Sequence, residues 1–178
     1  MAAKELLHLG SRAAVDQTLS RLARRGRLLR IGRGLYVLPV ESRFGVRPPE
    51  TSRVVQAIAE QLGESIVPSG AAAANELGLT TQVPIREVYL TSGPTRKLKL
   101  GQQTVELRHA PSWQLVLPGR TAGTAIRALA SMGPEQAGQG VALLRKMLPA
   151  AELRAVVAVR NRLPTWLAQQ VSVLAGDV

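Results

Sequence analysis

The chain has 178 residues, 46% apolar and 3% aromatic, so a core can form but must be built mainly from Ala, Leu and Val. Its formal net charge of +11 favours polyanionic partners and opposes self-association. The absence of cysteine excludes disulfides, thiolate metal sites and thiol nucleophiles. Every apolar run is cut by Arg, Gly or Pro well before 18 residues, which argues against a transmembrane helix and a membrane partner. The first nine residues carry Lys4, Glu5 and His8, so they do not read as a signal peptide, and the expected compartment is the cytoplasm.

In chain order, residues 3–9 are predicted as a short helix ended by Gly10. Ser11 is a good N-cap for a helix from Arg12 to Arg25. Val15, Leu19, Leu22 and Ala23 form its apolar stripe. The opposite face presents Ala13, Gln17, Ser20, Arg21 and Arg24, and Gly26 supplies the stop. Two strand-like runs follow, Arg27–Ile31 and Leu35–Pro39, around the tip Gly32-Arg33-Gly34. Helix, helix, hairpin is the layout of a winged helix-turn-helix, whose second helix enters the major groove.

Charge is concentrated in this region. Residues 1–53 hold eleven Lys or Arg against four Asp or Glu, and the run from Arg21 to Arg33 contains no acid. Arg21 and Arg24 suit phosphates or guanine, and Gln17 suits adenine. Ser11, Arg12, Ala13 and Ser20 belong to the same candidate surface. Arg33, between two glycines, suits a narrow minor groove. Arg25, Arg27 and Arg30 are expected on phosphates. A charge run is usually only a solvated face. Here it coincides with a helix–hairpin layout, which tips the reading toward duplex DNA.

Pro39–Glu50, with Pro48 and Pro49 adjacent, reads as a linker, dividing the chain into a DNA-binding domain at 1–47 and an α+β domain at 48–178. A helix is predicted from Thr51 or Ser52 to Leu62, then a strand at Ser65–Pro68 and an Ala-rich helix capped by Ser69. Strands are expected at Glu87–Ser92, Arg96–Leu100 and Gln103–His109. Beyond Pro118 helices are expected at about 121–132, 134–148, 150–160 and 164–175. The expected class is α+β: a winged helix-turn-helix, then a small mixed sheet with a helical C-terminal region. Arg96, Lys97 and Lys99 are a possible second basic patch, with a plain solvated strand equally plausible. Arg120 and Arg127, near a helix start, are weaker candidates. Trp113 and Trp166 fit the core better than an interface.

An enzyme is not expected, and no cofactor or metal is called for. His8 and His109 are far apart, and Asp occurs only at Asp16 and Asp177. Gly93-Pro94-Thr95-Arg96-Lys97 lacks the spacing of a phosphate loop.

The string RLARRGRLLRIGRGLYVLP at 21–39, with Arg33-Gly34-Leu35-Tyr36, resembles the N-terminal winged helix of the AbiEi family of type IV antitoxins. PSGAAAANELGLTTQVP at 68–84 and YLTSGPTRKLKLG at 89–101 resemble the second domain of short AbiEi-like proteins. The resemblance implies a repressor of its own promoter that counters a nucleotidyltransferase-like toxin. The residues alone leave two alternatives: an RNA- or ribosome-associated basic binder, and a protein-binding module with no DNA function.

Overall fold

The computed structural model describes residues 1–43 and 45–174. A 3-10 helix (Ala3–Leu9) precedes α1 (Arg12–Arg24), β1 (Leu29–Gly32), β2 (Leu35–Val37), β3 (Val40–Ser42), β4 (Gly45–Arg47) and α2 (Thr51–Leu62). Then come β5 (Ile66–Pro68), α3 (Gly70–Glu76), β6 (Glu87–Thr91), β7 (Arg96–Leu100) and β8 (Gln103–His109). A 3-10 turn (Ser112–Leu115) leads to α4 (Thr121–Met147), α5 (Ala150–Ala158), a 3-10 turn (Arg160–Arg162) and α6 (Thr165–Ser172). The chain is therefore mixed α+β with small sheets. Residue 175, the end of the last expected helix, lies outside the described residues.

The chain divides into two compact units. One comprises Met1–Glu64 and Thr95–Leu107, the other Ser65–Pro94 and Arg108–Val178. This differs from a single break at 47/48, because β7 and β8 as far as Leu107 return from far along the chain. A Cβ added to Gly32 of β1 would lie 3.6 Å from Leu98 of β7, a proximity no local pattern announces. The expected linker at 39–50 is also different. It holds the antiparallel pair β3–β4, with Val40 opposite Arg47 and Ser42 opposite Gly45. Pro39, Pro48 and Pro49 flank this pair rather than interrupt it, so they remove no ladder hydrogen bond. Phe44, within that segment, lies outside the described residues.

The first unit is organised by an apolar seam. Val15 and Leu19 of α1 pack with Ala3, Leu28 and Tyr36, and Leu22 and Ala23 close its edge. Burial of each large side chain contributes about 1.5–3 kcal/mol. The N-terminal segment is stitched to β2. The Ala3 amide donates to Gly34 O at 2.8 Å, and the Tyr36 amide donates to Met1 O at 3.0 Å. The β7–β8 pair runs from Arg96 opposite Leu107 to Leu100 opposite Gln103.

In the second unit, Ile66–Pro68 pairs antiparallel with β6, from Ile66 opposite Thr91 to Pro68 opposite Tyr89. The main core is helical. Ala122, Ala125, Ile126 and Leu129 of α4 meet Leu153 and Val156 of α5 and Leu167 and Val171 of α6. Trp113 and Trp166 pack half-buried against this cluster. α4 is two arms broken at Gly133 (φ 77°, ψ 173°), directly before Pro134. α3 meets the first arm through Ala73, Ala74 and Ala128, residues small enough to bring the helices close.

Two features at the start of α4 carry testable consequences. A Cβ on Gly123 would overlap the Leu117 carbonyl oxygen and lie 2.7 Å from that of Val116. Backbone cannot yield as a side-chain tip does, so Gly123→Ala is expected to cost about 3 kcal/mol, read by denaturant unfolding. The Glu152 carboxylate accepts from the Arg120 guanidinium and the Ala122 amide, both at 2.8 Å. The Arg120 hydrogen bond first, then the Ala122 amide, hold its carboxyl below the usual carboxylate range. A carboxyl more acidic when folded stabilises fully above its unfolded value and loses that contribution as pH falls through the lowered folded value. Melting temperature should therefore drop on acidification through that window, and Glu152→Gln should flatten the drop while lowering the neutral-pH value.

Candidate nucleic-acid interface

α1 begins where the Ser11 hydroxyl accepts the Ala14 amide at 3.3 Å, satisfying one free donor of the first turn. It ends in a Schellman arrangement: the Arg27 amide donates to Leu22 O and the Gly26 amide to Ala23 O. Gly26 sits at φ 71°, where a Cβ costs about 1–2 kcal/mol. Between these caps Val15 and Leu19 are buried, while Ser11, Arg12, Ala13, Gln17, Arg21, Arg24 and Arg25 are exposed and Ser20 is half-buried.

The hairpin follows immediately. Leu29 pairs with Val37 and Arg30 with Tyr36, and a bulge before Gly32 precedes the tip Arg33-Gly34. Leu28, Ile31, Leu35 and Tyr36 turn inward, which leaves Arg27, Arg30 and Arg33 exposed. Arg30 Nε donates to Gly32 O at 3.4 Å, laying that side chain along the tip.

Two groups of polar and cationic side chains stand out on this surface. Gln17, Ser20, Arg21 and Arg24 lie within an arc of about 100° on α1, since successive residues advance by roughly 100°. Arg12 lies outside that arc. It lines a groove of about 340 Å³ with Lys4 and Arg33, so the start of α1 and the hairpin tip share one basic cleft. At about 1.5 Å per residue, Arg12 and Arg21 are offset by roughly 14 Å along the axis. One acid also stands on this helix: Asp16 accepts from Arg12 Nε at 3.3 Å. Their i,i+4 spacing made the pair legible in sequence. An exposed pair of this kind is worth only about 0.3–0.5 kcal/mol, little against a phosphate.

The second basic patch separates into different roles. Arg96 donates through Nη1 and Nη2 to both carboxylate oxygens of Glu64, at 2.9 and 2.6 Å. Its side chain is only 19% exposed. Lys97 and Lys99 are exposed. His8 and His109 are exposed and lie in different units, each with Nδ1 at a backbone carbonyl oxygen, Glu5 and Gly93 respectively. Among the described residues no helix is long and apolar enough to cross a membrane.

A family model covers residues 1–150, which include all of these candidate residues. The chain belongs to the DUF6088 family. That family is described as one of unknown function. No curated protein and no solved structure matches the chain. The larger share of basic residues of this DUF6088 member sits on its first unit, which has fourteen Lys or Arg against seven Asp or Glu.

The sequence treated Arg127 as a weak surface candidate, yet it is 2% exposed. Burial lowers its pKa to about 10, with nearby Glu76 opposing the shift. The one local signal was its place within the apolar run Ala125-Ile126-Arg127-Ala128-Leu129.

Arg96 and the two lysines separate by experiment. Arg96→Ala removes both guanidinium hydrogen bonds from the Glu64 carboxylate and is expected to cost about 2–3 kcal/mol in denaturant unfolding. Lys97→Ala and Lys99→Ala should leave stability within about 0.5 kcal/mol.

Proposed function

We propose that this chain is a double-stranded DNA-binding transcriptional autorepressor, with α1 as the recognition helix and β1–β2 as the wing of a winged helix-turn-helix. The observation that carries the reading is the outward set Arg12, Arg21, Arg24, Arg25, Arg27, Arg30 and Arg33, held on a capped helix and a hairpin joined by one core. The axial offset of roughly 14 Å between Arg12 and Arg21 is comparable to the major-groove width of about 12 Å. Arg12, Arg24 and Arg33 can hold phosphates while Gln17, Ser20 and Arg21 face base edges. The likeness to AbiEi antitoxins extends the proposal: the chain represses its own promoter and counters a nucleotidyltransferase-like toxin.

The test is binding to promoter duplex against scrambled duplex by fluorescence anisotropy. If about six phosphates are neutralised, the log–log salt slope should be near −5. Gln17→Ala or Arg21→Ala should relax sequence preference, whereas Arg27→Ala should weaken all duplexes alike. Equal binding of the unmutated chain to every sequence, or structured RNA competing as well as promoter DNA, would sink the reading. For the antitoxin role, a neighbouring nucleotidyltransferase-like gene should arrest growth unless this chain is co-expressed.

A further inference from the structure

The second unit contains a pocket that the DNA reading does not use. It encloses about 380 Å³, within the usual range for small-molecule sites. Arg86, Arg108 and Arg127 line it, with Gln114 and Ser69. Arg127 is the unusual member. Its Nη2 donates to Thr124 Oγ1 at 3.3 Å, but Nε and Nη1 are buried and have no hydrogen-bond partner among the described residues. A guanidinium stays charged at neutral pH even with its pKa lowered to about 10. Glu76 opposes that lowering by its charge but makes no hydrogen bond to it. Holding a buried charge is costly, and an anion bound beside it would offset part of that cost through its opposite charge.

We propose that this pocket binds the phosphate group of a small phosphomonoester. A phosphate presents three terminal oxygens in different directions, which suits cations arriving from separate elements better than a flat carboxylate does. Arg127 comes from α4, Arg108 from β8 and Arg86 from the segment before β6. The Ser69 hydroxyl accepts from the Ala72 amide at 3.4 Å and keeps its own proton to donate.

The rest of the ligand has a place as well. A second cavity of about 550 Å³ shares Ala71, Pro84, Arg86 and Ser131 with the first. Its walls include Leu79, Val83, Ile85 and Met132, and Ile85 is fully exposed. An apolar or planar body attached to the phosphate would cover these side chains. A nucleoside 5′-monophosphate has that chemistry.

Titration calorimetry and thermal melting of the full chain, at fixed ionic strength, test the proposal with inorganic phosphate, adenosine 5′-monophosphate and adenosine. The monophosphate should bind more tightly than phosphate, adenosine should not bind measurably, and melting temperature should rise with ligand. Arg86→Ala, on an exposed side chain, should weaken the monophosphate about tenfold, the loss of one charge-assisted hydrogen bond. Arg127→Met should abolish binding yet melt no lower than the unmutated chain without ligand, because it removes an unpaired buried charge. Arg24→Ala, in the first unit, should leave binding unchanged. Should Arg127→Met fail to fold, Arg86→Ala still decides. The proposal is overturned by no phosphate-dependent signal, by unaltered binding in Arg86→Ala, or by Arg24→Ala weakening the monophosphate equally. It also fails if short duplex DNA displaces the monophosphate, which would make the pocket a nucleic-acid contact. Because these readouts need no promoter, they stand or fall separately from the DNA reading.

Discussion

The apolar seam where Val15 and Leu19 meet Leu28 and Tyr36 determines what the basic surface can be. It joins a helix to a hairpin that follows after only a few residues, and it consumes the inward face of both. Every arginine from Arg12 to Arg33 is consequently left outward, since none has an inward position to occupy. The stitching of Met1–Ala3 onto β2 braces the hairpin from its other edge. The cations thus project from a fixed frame, so a duplex binding them would pay mainly for side-chain ordering.

The two units treat charge differently. In the first, arginines are solvated and numerous, and the half-buried Arg96 is matched by both oxygens of Glu64. In the second, Glu152 is satisfied by Arg120 and the Ala122 amide, while Arg127 is buried with two nitrogens unmet. Solvated charge supports long-range attraction that weakens with salt. Buried, unmet charge supports short-range recognition of one group in one place. This difference in physical environment underlies the two proposals, a polyanion for the first unit and a small anion for the second.

Much of the local architecture was legible in the sequence, and particular residues show why. Ser11 and Gly26 bounded α1 because capping is a local property of a few backbone groups. Gly133-Pro134 divided α4 where the periodic pattern had to break. The alternation at 96–109 marked β7 and β8. The outward arginines followed from the helical period once Val15 and Leu19 were taken as core.

By itself, the sequence determined most elements (the β3–β4 pair excepted), the caps and the basic character of the first third, because each depends on residues within a turn or two of one another. Tertiary structure alone decided that the β7–β8 hairpin belongs with the first 64 residues, that Arg96 answers Glu64, and that Arg127 is buried beside a cavity. Those outcomes depend on partners 30 or more residues away or on enclosure by several elements. An arginine reads the same in a string whether water or a protein core surrounds it.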